Sequence, residues 1–89
     1  MALREVFAGE ANFTEGFVPL VTASVQHAFG TADPDDLTIL RRGSSTLTIS
    51  IDEGFDTVYA EGDLDAFASE LQVLAARIAA GYAALLPWR

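Results

Sequence analysis

The chain has 89 residues, of which 51% are hydrophobic, and this predicts a single compact domain over residues 1–89 rather than a disordered chain. Thirteen acidic residues against five basic ones, all of them arginine, give a net charge of −8. That charge argues against direct binding of nucleic acid, whose phosphates are contacted by Lys and Arg. The absence of Cys and the presence of one His exclude disulfide scaffolds, cysteine-based zinc sites and multi-histidine metal sites.

The first predicted element is a helix from about Pro19 to Phe29. Apolar and small residues recur there at helical spacing, and Pro19 falls in the first turn, where its missing amide is tolerated. Gly30 is a natural C-terminal stop. No element is assigned to the first 15 residues.

Three short strands follow, over residues 37–42, 45–51 and 55–60. The middle strand is the clearest, because Leu47, Ile49 and Ile51 alternate with Thr and Ser, which is typical of a strand with one buried face. Gly43-Ser44 and Asp52-Glu53-Gly54 are short turns, and short turns join antiparallel neighbours. The three strands are therefore predicted to form an antiparallel meander.

The last predicted element is a long helix that begins after Gly62, with Asp63 as its N-cap, and ends near Leu86 before Pro87. One side of it carries an apolar seam suited to packing on the sheet: Leu64, Phe67, Leu71, Leu74, Ile78 and Leu85. The predicted fold class is α+β. The predicted order is α-β-β-β-α, a three-stranded antiparallel meander with two helices packed on one face.

Beyond Gln72 this helix is apolar on nearly all sides, which is typical of a helix buried on more than one side. One interpretation is that Ala is a good helix former and needs no partner when exposed. A second, which we favour, is a homodimer packed through this helix. A third is a surface that docks only on another protein. The residues predicted to form the dimer interface are Val73, Ala76, Ala80, Ala84, Leu85 and Trp88.

The acidic residues cluster on two loops that a meander brings to the same end of the sheet. The residues of this predicted acidic end are Asp33, Asp35, Asp36, Asp52, Glu53 and Asp56. Such a cluster is compatible with solvation alone, with a basic protein partner attracted by the negative potential, or with calcium. The local candidate for calcium, Glu61-x-Asp63-x-Asp65, fails as an EF-hand loop because Ala66 stands where Gly is required.

The sequence offers little for catalysis. His27 is the only imidazole, and no Gly-x-Ser-x-Gly turn surrounds a Ser. Gly43-Ser44-Ser45 resembles part of a phosphate loop, yet no Lys follows it and no helix begins there. We therefore expect no enzyme activity, no cofactor and no metal.

The location and origin of the chain are also open to prediction. The first residues lack the apolar run of a signal peptide, and Arg77 interrupts the longest weakly charged stretch, residues 71–88. We therefore expect a soluble cytoplasmic protein without membrane contact. The lack of Lys beside 15 Ala suggests a GC-rich bacterial or phage genome.

Charge and size together predict a small acidic protein-interaction module that binds a basic surface of a larger protein, such as a nucleic-acid-binding surface. Inhibitors and immunity-type proteins of the anti-CRISPR, antitoxin and DNA-mimic kinds work in this way. The alternative is a structural or assembly subunit of a phage or bacterium that oligomerises through its apolar C-terminal helix.

Overall fold

The computed structural model describes residues 2–9, 14–31 and 39–85. The elements are β1 (Ala2–Ala8), α1 (Thr14–Phe29), β2 (Ile39–Arg42), β3 (Ser45–Ile51), β4 (Thr57–Gly62) and α2 (Ala68–Leu85), with a short 3-10 helix, Leu64–Phe67, before α2. The strands form an antiparallel sheet in the order β1-β4-β3-β2. The α+β class is confirmed, whereas the three-stranded sheet and the α-β-β-β-α order are wrong, because a fourth strand precedes α1.

The additional strand, β1, lies at one edge of the sheet and has few buried side chains. Only Val6 and Phe7 are half-buried, while Leu3, Arg4 and Glu5 are exposed. Its register against β4 also shifts between Glu5 and Phe7, which places one extra residue in the ladder. A strand of this kind shows no hydrophobic alternation, so the sequence pattern does not predict it.

The predicted meander is present, and β3 forms its centre with buried Leu47 and Ile49. Of the predicted first strand, residues 39–42 form β2, while Leu37 and Thr38 lie outside the described residues. The third strand runs over Thr57–Gly62 instead of residues 55–60. Phe55 has a φ of +57° and is therefore part of a turn that is wider than predicted.

Helix α1 begins five residues earlier than predicted, at Thr14, which places Pro19 inside its bounds. Gly16 has a φ of +86°, outside the right-handed helical region, so the regular helical backbone begins at Phe17. Pro19 consequently lies in the first regular turn, where no intrahelical partner for its missing amide is required.

The final helix is preceded by a turn that the sequence did not predict. Asp63 makes no side-chain bond to the following helix. Its carboxylate instead accepts the backbone amide of Thr46 at 3.0 Å, and its own amide donates to the Thr46 carbonyl at 2.9 Å. Asp63 therefore occupies the N-cap position of the 3-10 helix, and its carbonyl accepts the Ala66 amide, but the expected side-chain cap is absent because the carboxylate binds β3 instead. Leu86 and Pro87 lie outside the described residues.

The two helices lie side by side and antiparallel on one face of the sheet. Leu20, near the beginning of α1, packs against Gly81, near the end of α2. At the end of α1, the centroids of the Phe29 and Phe67 rings are 6.1 Å apart. Alternate strand residues and the inner helix faces form one buried cluster: Phe17, Val21, Val25, Leu40, Leu47, Ile49, Val58, Ala60, Phe67, Leu71, Leu74, Ile78 and Tyr82. The seam predicted on the last helix supplies four of these, Phe67, Leu71, Leu74 and Ile78, so that part of the prediction is confirmed.

Aromatic packing joins β1 to both helices. The centroid of the Phe7 ring lies 4.9 Å from that of Tyr82 and 6.3 Å from that of Phe17. Gly9 follows β1 directly beneath Tyr82, and a Cβ there would overlap the phenol ring. The end of β1 is thus held in place by the helical layer as well as by β4.

Gly62 allows the close approach of β4 and β3. Its φ of +133° is strained for any residue with a side chain, and a Cβ would collide with the Thr46 carbonyl oxygen, which is backbone and cannot rotate away. Gly62→Ala is expected to lower the free energy of unfolding by about 2–4 kcal/mol, measured by urea denaturation.

Gly43→Ala is the matched control for this change. Gly43 also has a positive φ, +61°, but no atom lies within 4 Å of the position that its Cβ would take. We expect a loss of only about 1 kcal/mol there. Equal losses at both glycines would contradict the steric explanation for Gly62.

Candidate functional site

The acidic turn between β3 and β4 is built by two of its own carboxylates. Asp52 Oδ1 accepts the backbone amides of Asp56 and Thr57 at 3.3 and 3.2 Å. Asp56 Oδ1 accepts the Thr57 hydroxyl at 3.0 Å, while the Glu53 side chain is exposed. Asp52 and Asp56 therefore stabilise the turn as well as carrying charge, and Glu53 carries charge alone.

The other half of the predicted acidic end, Asp33, Asp35 and Asp36, lies outside the described residues. The topology on which that prediction depends is present. Ile39, at the beginning of β2, pairs with Thr48, and β3 continues from there towards the acidic turn. The entry to β2 and the turn Asp52–Asp56 thus lie towards the same end of the sheet.

The opposite end of the sheet contains an arginine that joins β2 to the helices. The guanidinium of Arg42 donates to the Ala66 carbonyl and to the Glu70 carboxylate, and it lies over the Phe67 ring at 4.8 Å from the centroid. These bonds lower the pKa of Glu70, chiefly through the side-chain bond to Arg42 and also through a backbone amide, against a smaller opposing effect of burial. Arg42 is therefore a structural tether, and Arg41 is exposed.

Two open depressions lie near this end. One of about 460 Å³ is lined by Ala2, Ser45, Gly62 and residues 63–66. The other, of about 220 Å³, is lined by Phe29, Thr31, Leu40, Arg41, Arg42 and Phe67. His27 lines neither of them and is exposed in the last turn of α1. Both depressions are open to solvent, and two carboxylates, those of Asp63 and Asp65, line the first of them.

The sheet also has an outer face that carries a group of residues the sequence did not single out. Leu3 lies directly opposite Glu61, and Glu5 lies directly opposite Tyr59, across the β1–β4 ladder. Tyr59 and Glu61 alternate with the buried residues of β4, and Leu3 and Glu5 lie directly opposite them, so all four lie on the face away from the helices. We call this group the β1–β4 patch. It was missed because it exists only once β1 pairs with β4.

The outward side of α2 contains most of the predicted oligomer interface. Val73, Ala76, Ala80 and Ala84 are exposed, and Val73 is 40% accessible. Leu85 instead faces α1 beside Gly16, and Trp88 lies outside the described residues.

The described residues contain no group of three or more Asp, Glu or His side chains placed to hold a metal ion. The calcium candidate is divided between separate surfaces: Glu61 belongs to the β1–β4 patch, whereas Asp63 binds Thr46. None of the helices in the described part of the chain combines the length and apolar character needed to cross a bilayer.

No protein-family model matches the chain, and neither a curated protein nor a solved structure gives a match. The function is therefore inferred from the residues, charges and fold described above.

The Arg42–Glu70 pair predicts a pH-dependent contribution to stability. Because the folded pKa of Glu70 lies below its unfolded value, the pair stabilises the fold above the unfolded pKa, and this contribution disappears as pH falls through the folded pKa. Glu70→Gln should lower the free energy of unfolding by about 0.5–1 kcal/mol at pH 7 and by much less near pH 3. Urea denaturation at both pH values measures the difference.

Arg42→Gln and the double variant complete a double-mutant cycle. Glu70→Gln should cost little on the Arg42→Gln background at pH 7. A cost that does not change with pH, or that is the same on both backgrounds, would contradict the assignment.

Proposed function

We propose that this chain is a small acidic protein-interaction module that binds a basic surface of a larger partner protein, in the manner of an inhibitor or immunity-type protein. The observation that carries the proposal is the turn Asp52–Asp56, which is closed by hydrogen bonds to Asp52 and Asp56 and whose three carboxylates contact no arginine among the described residues. A net charge of −8 adds long-range attraction for a basic protein.

The internal hydrogen bonds of the turn favour binding because they reduce the conformational entropy that the turn loses when a partner binds. Asp52 holds the turn through two backbone amides, so the exposed Glu53 is presented on a loop that is already ordered. A preorganised loop loses less conformational entropy when a partner binds than a flexible acidic tail does. Solvation by itself requires no such order.

Binding to a fluorescent decaarginine peptide, followed by anisotropy, tests the proposal. We expect binding at about 50 mM NaCl that weakens at least tenfold at about 300 mM, because salt screens exposed charges. Glu53→Gln with Asp56→Asn should weaken binding several-fold. Asp56→Asn keeps an Oδ1 that can accept the Thr57 hydroxyl, and Asp52 is kept because it binds two backbone amides of the turn.

The matched control removes two charges at the other end of the sheet, through Asp63→Asn and Asp65→Asn. The amide introduced by Asp63→Asn keeps a carbonyl oxygen that can accept the Thr46 backbone amide. The control should weaken binding less than the turn variant does. Absence of binding at low salt, or equal weakening by both variants, would contradict a role for the acidic turn.

A second candidate function is that of a structural subunit that self-associates through α2. It is favoured by the exposed side of α2, where the uncharged side chains of Val73, Ala76, Ala80 and Ala84 lie beside a single exposed cation, Arg77. Close packing of two such helices is possible because the side chains are small.

Ala80→Glu tests self-association with little risk to the fold, because Ala80 is exposed and Glu is a good helix former. Analytical ultracentrifugation should show a dimer of the natural chain and a monomer of Ala80→Glu. A natural chain that stays monomeric at high concentration would remove this candidate.

A further inference from the structure

We propose that the β1–β4 patch is a guanidinium-binding surface that receives an arginine side chain of the basic partner. This inference rests on the proposed function and specifies where and how the partner is recognised. The occupant is an arginine-bearing protein segment, and the recognition is by charge, by an aromatic ring and by an apolar contact.

The register of the sheet places the four patch residues in a two-by-two array. Leu3 faces Glu61 and Glu5 faces Tyr59 across the ladder, so the carboxylates occupy one diagonal and the apolar and aromatic groups occupy the other. Directly opposed residues have Cβ atoms about 4.5–5.5 Å apart, and diagonal ones about 7–8 Å apart. A single guanidinium is within reach of both carboxylates at that spacing.

The chemistry of each position matches one part of an arginine side chain. Glu5 and Glu61 are exposed and provide acceptors for the planar guanidinium. Tyr59 is half-buried between them and offers an aromatic ring for cation–π stacking. Leu3, which is 64% exposed, provides apolar contact for the aliphatic part of the side chain.

Charge complementarity selects a basic partner over a second copy of this chain. Arg41, opposite Thr46, is the one arginine that the described part of the ladder places on this face, and it lies two strands away on β2. Stacking two copies patch against patch would bring four carboxylates together without a cation between them. The patch also lies close to the acidic turn along β4. Thr57 binds Asp52 of the turn, and Tyr59 of the patch follows Thr57 by two residues, so one basic segment can contact both surfaces.

The experiment compares decaarginine with decalysine, both measured by anisotropy at about 50 mM NaCl. The natural chain should prefer decaarginine about fivefold, because a guanidinium stacks on Tyr59 and bridges two carboxylates better than an ammonium does. Glu5→Gln with Glu61→Gln should weaken decaarginine binding about tenfold. Tyr59→Leu should remove the preference for arginine, and Tyr59→Phe, which keeps the ring, should retain it.

Thermal unfolding of each variant establishes that it is folded before binding is compared. Glu5 and Glu61 are both exposed, so their replacement by Gln does not put the fold at risk. If the turn variant weakens binding while the patch variants bind as the natural chain does, the patch is wrong and the proposed function survives. If the natural chain binds neither peptide, both are wrong. Equal affinity for the two peptides overturns the guanidinium site.

Discussion

Two sets of contacts hold β1 in place, and the remaining architecture depends on both. Its backbone pairs with β4, while the Phe7 ring packs against Phe17 and Tyr82 on the two helices. With β1 docked, β4 becomes an interior strand, and Gly62 is enclosed between Ala2 and Leu47. The chain must then cross from the β1 edge to the β2 edge, and α1 makes that crossing over the buried face of the sheet.

Among the described residues, the carboxylates include two groups with different physical roles. Asp52 and Asp63 accept backbone amides at the ends of strands, and Glu70 pairs with Arg42, so these side chains stabilise turns and junctions. Glu53 is exposed on the turn, and Glu5 and Glu61 are exposed on the outer sheet face. The net charge is therefore partly structural, and only the second group is available to attract a partner without loss of stability.

The sequence predicts an element correctly where one face of that element is buried, and it fails where most of the side chains are exposed. Strand β3 and the α2 seam were predicted correctly because alternation and helical spacing are direct consequences of one-sided burial. Strand β1 left no such pattern, since an edge strand keeps most of its side chains exposed. The position of Asp63 before a helix is predicted correctly but its side-chain bond is not, because an Asp there has the same local pattern whether its carboxylate binds the helix or a neighbouring strand.

By itself, the sequence determined the α+β class, the meander, the inner face of α2 and the acidic turn. Each of these depends on residues close together in the chain. The tertiary structure alone decided the place of β1 and the tether made by Arg42. That side chain binds Ala66 and Glu70, which follow it by 24 and 28 positions in the chain. It also decided the β1–β4 patch, since Glu5 and Tyr59 become neighbours only through pairing between distant segments, whose register local periodicity does not encode.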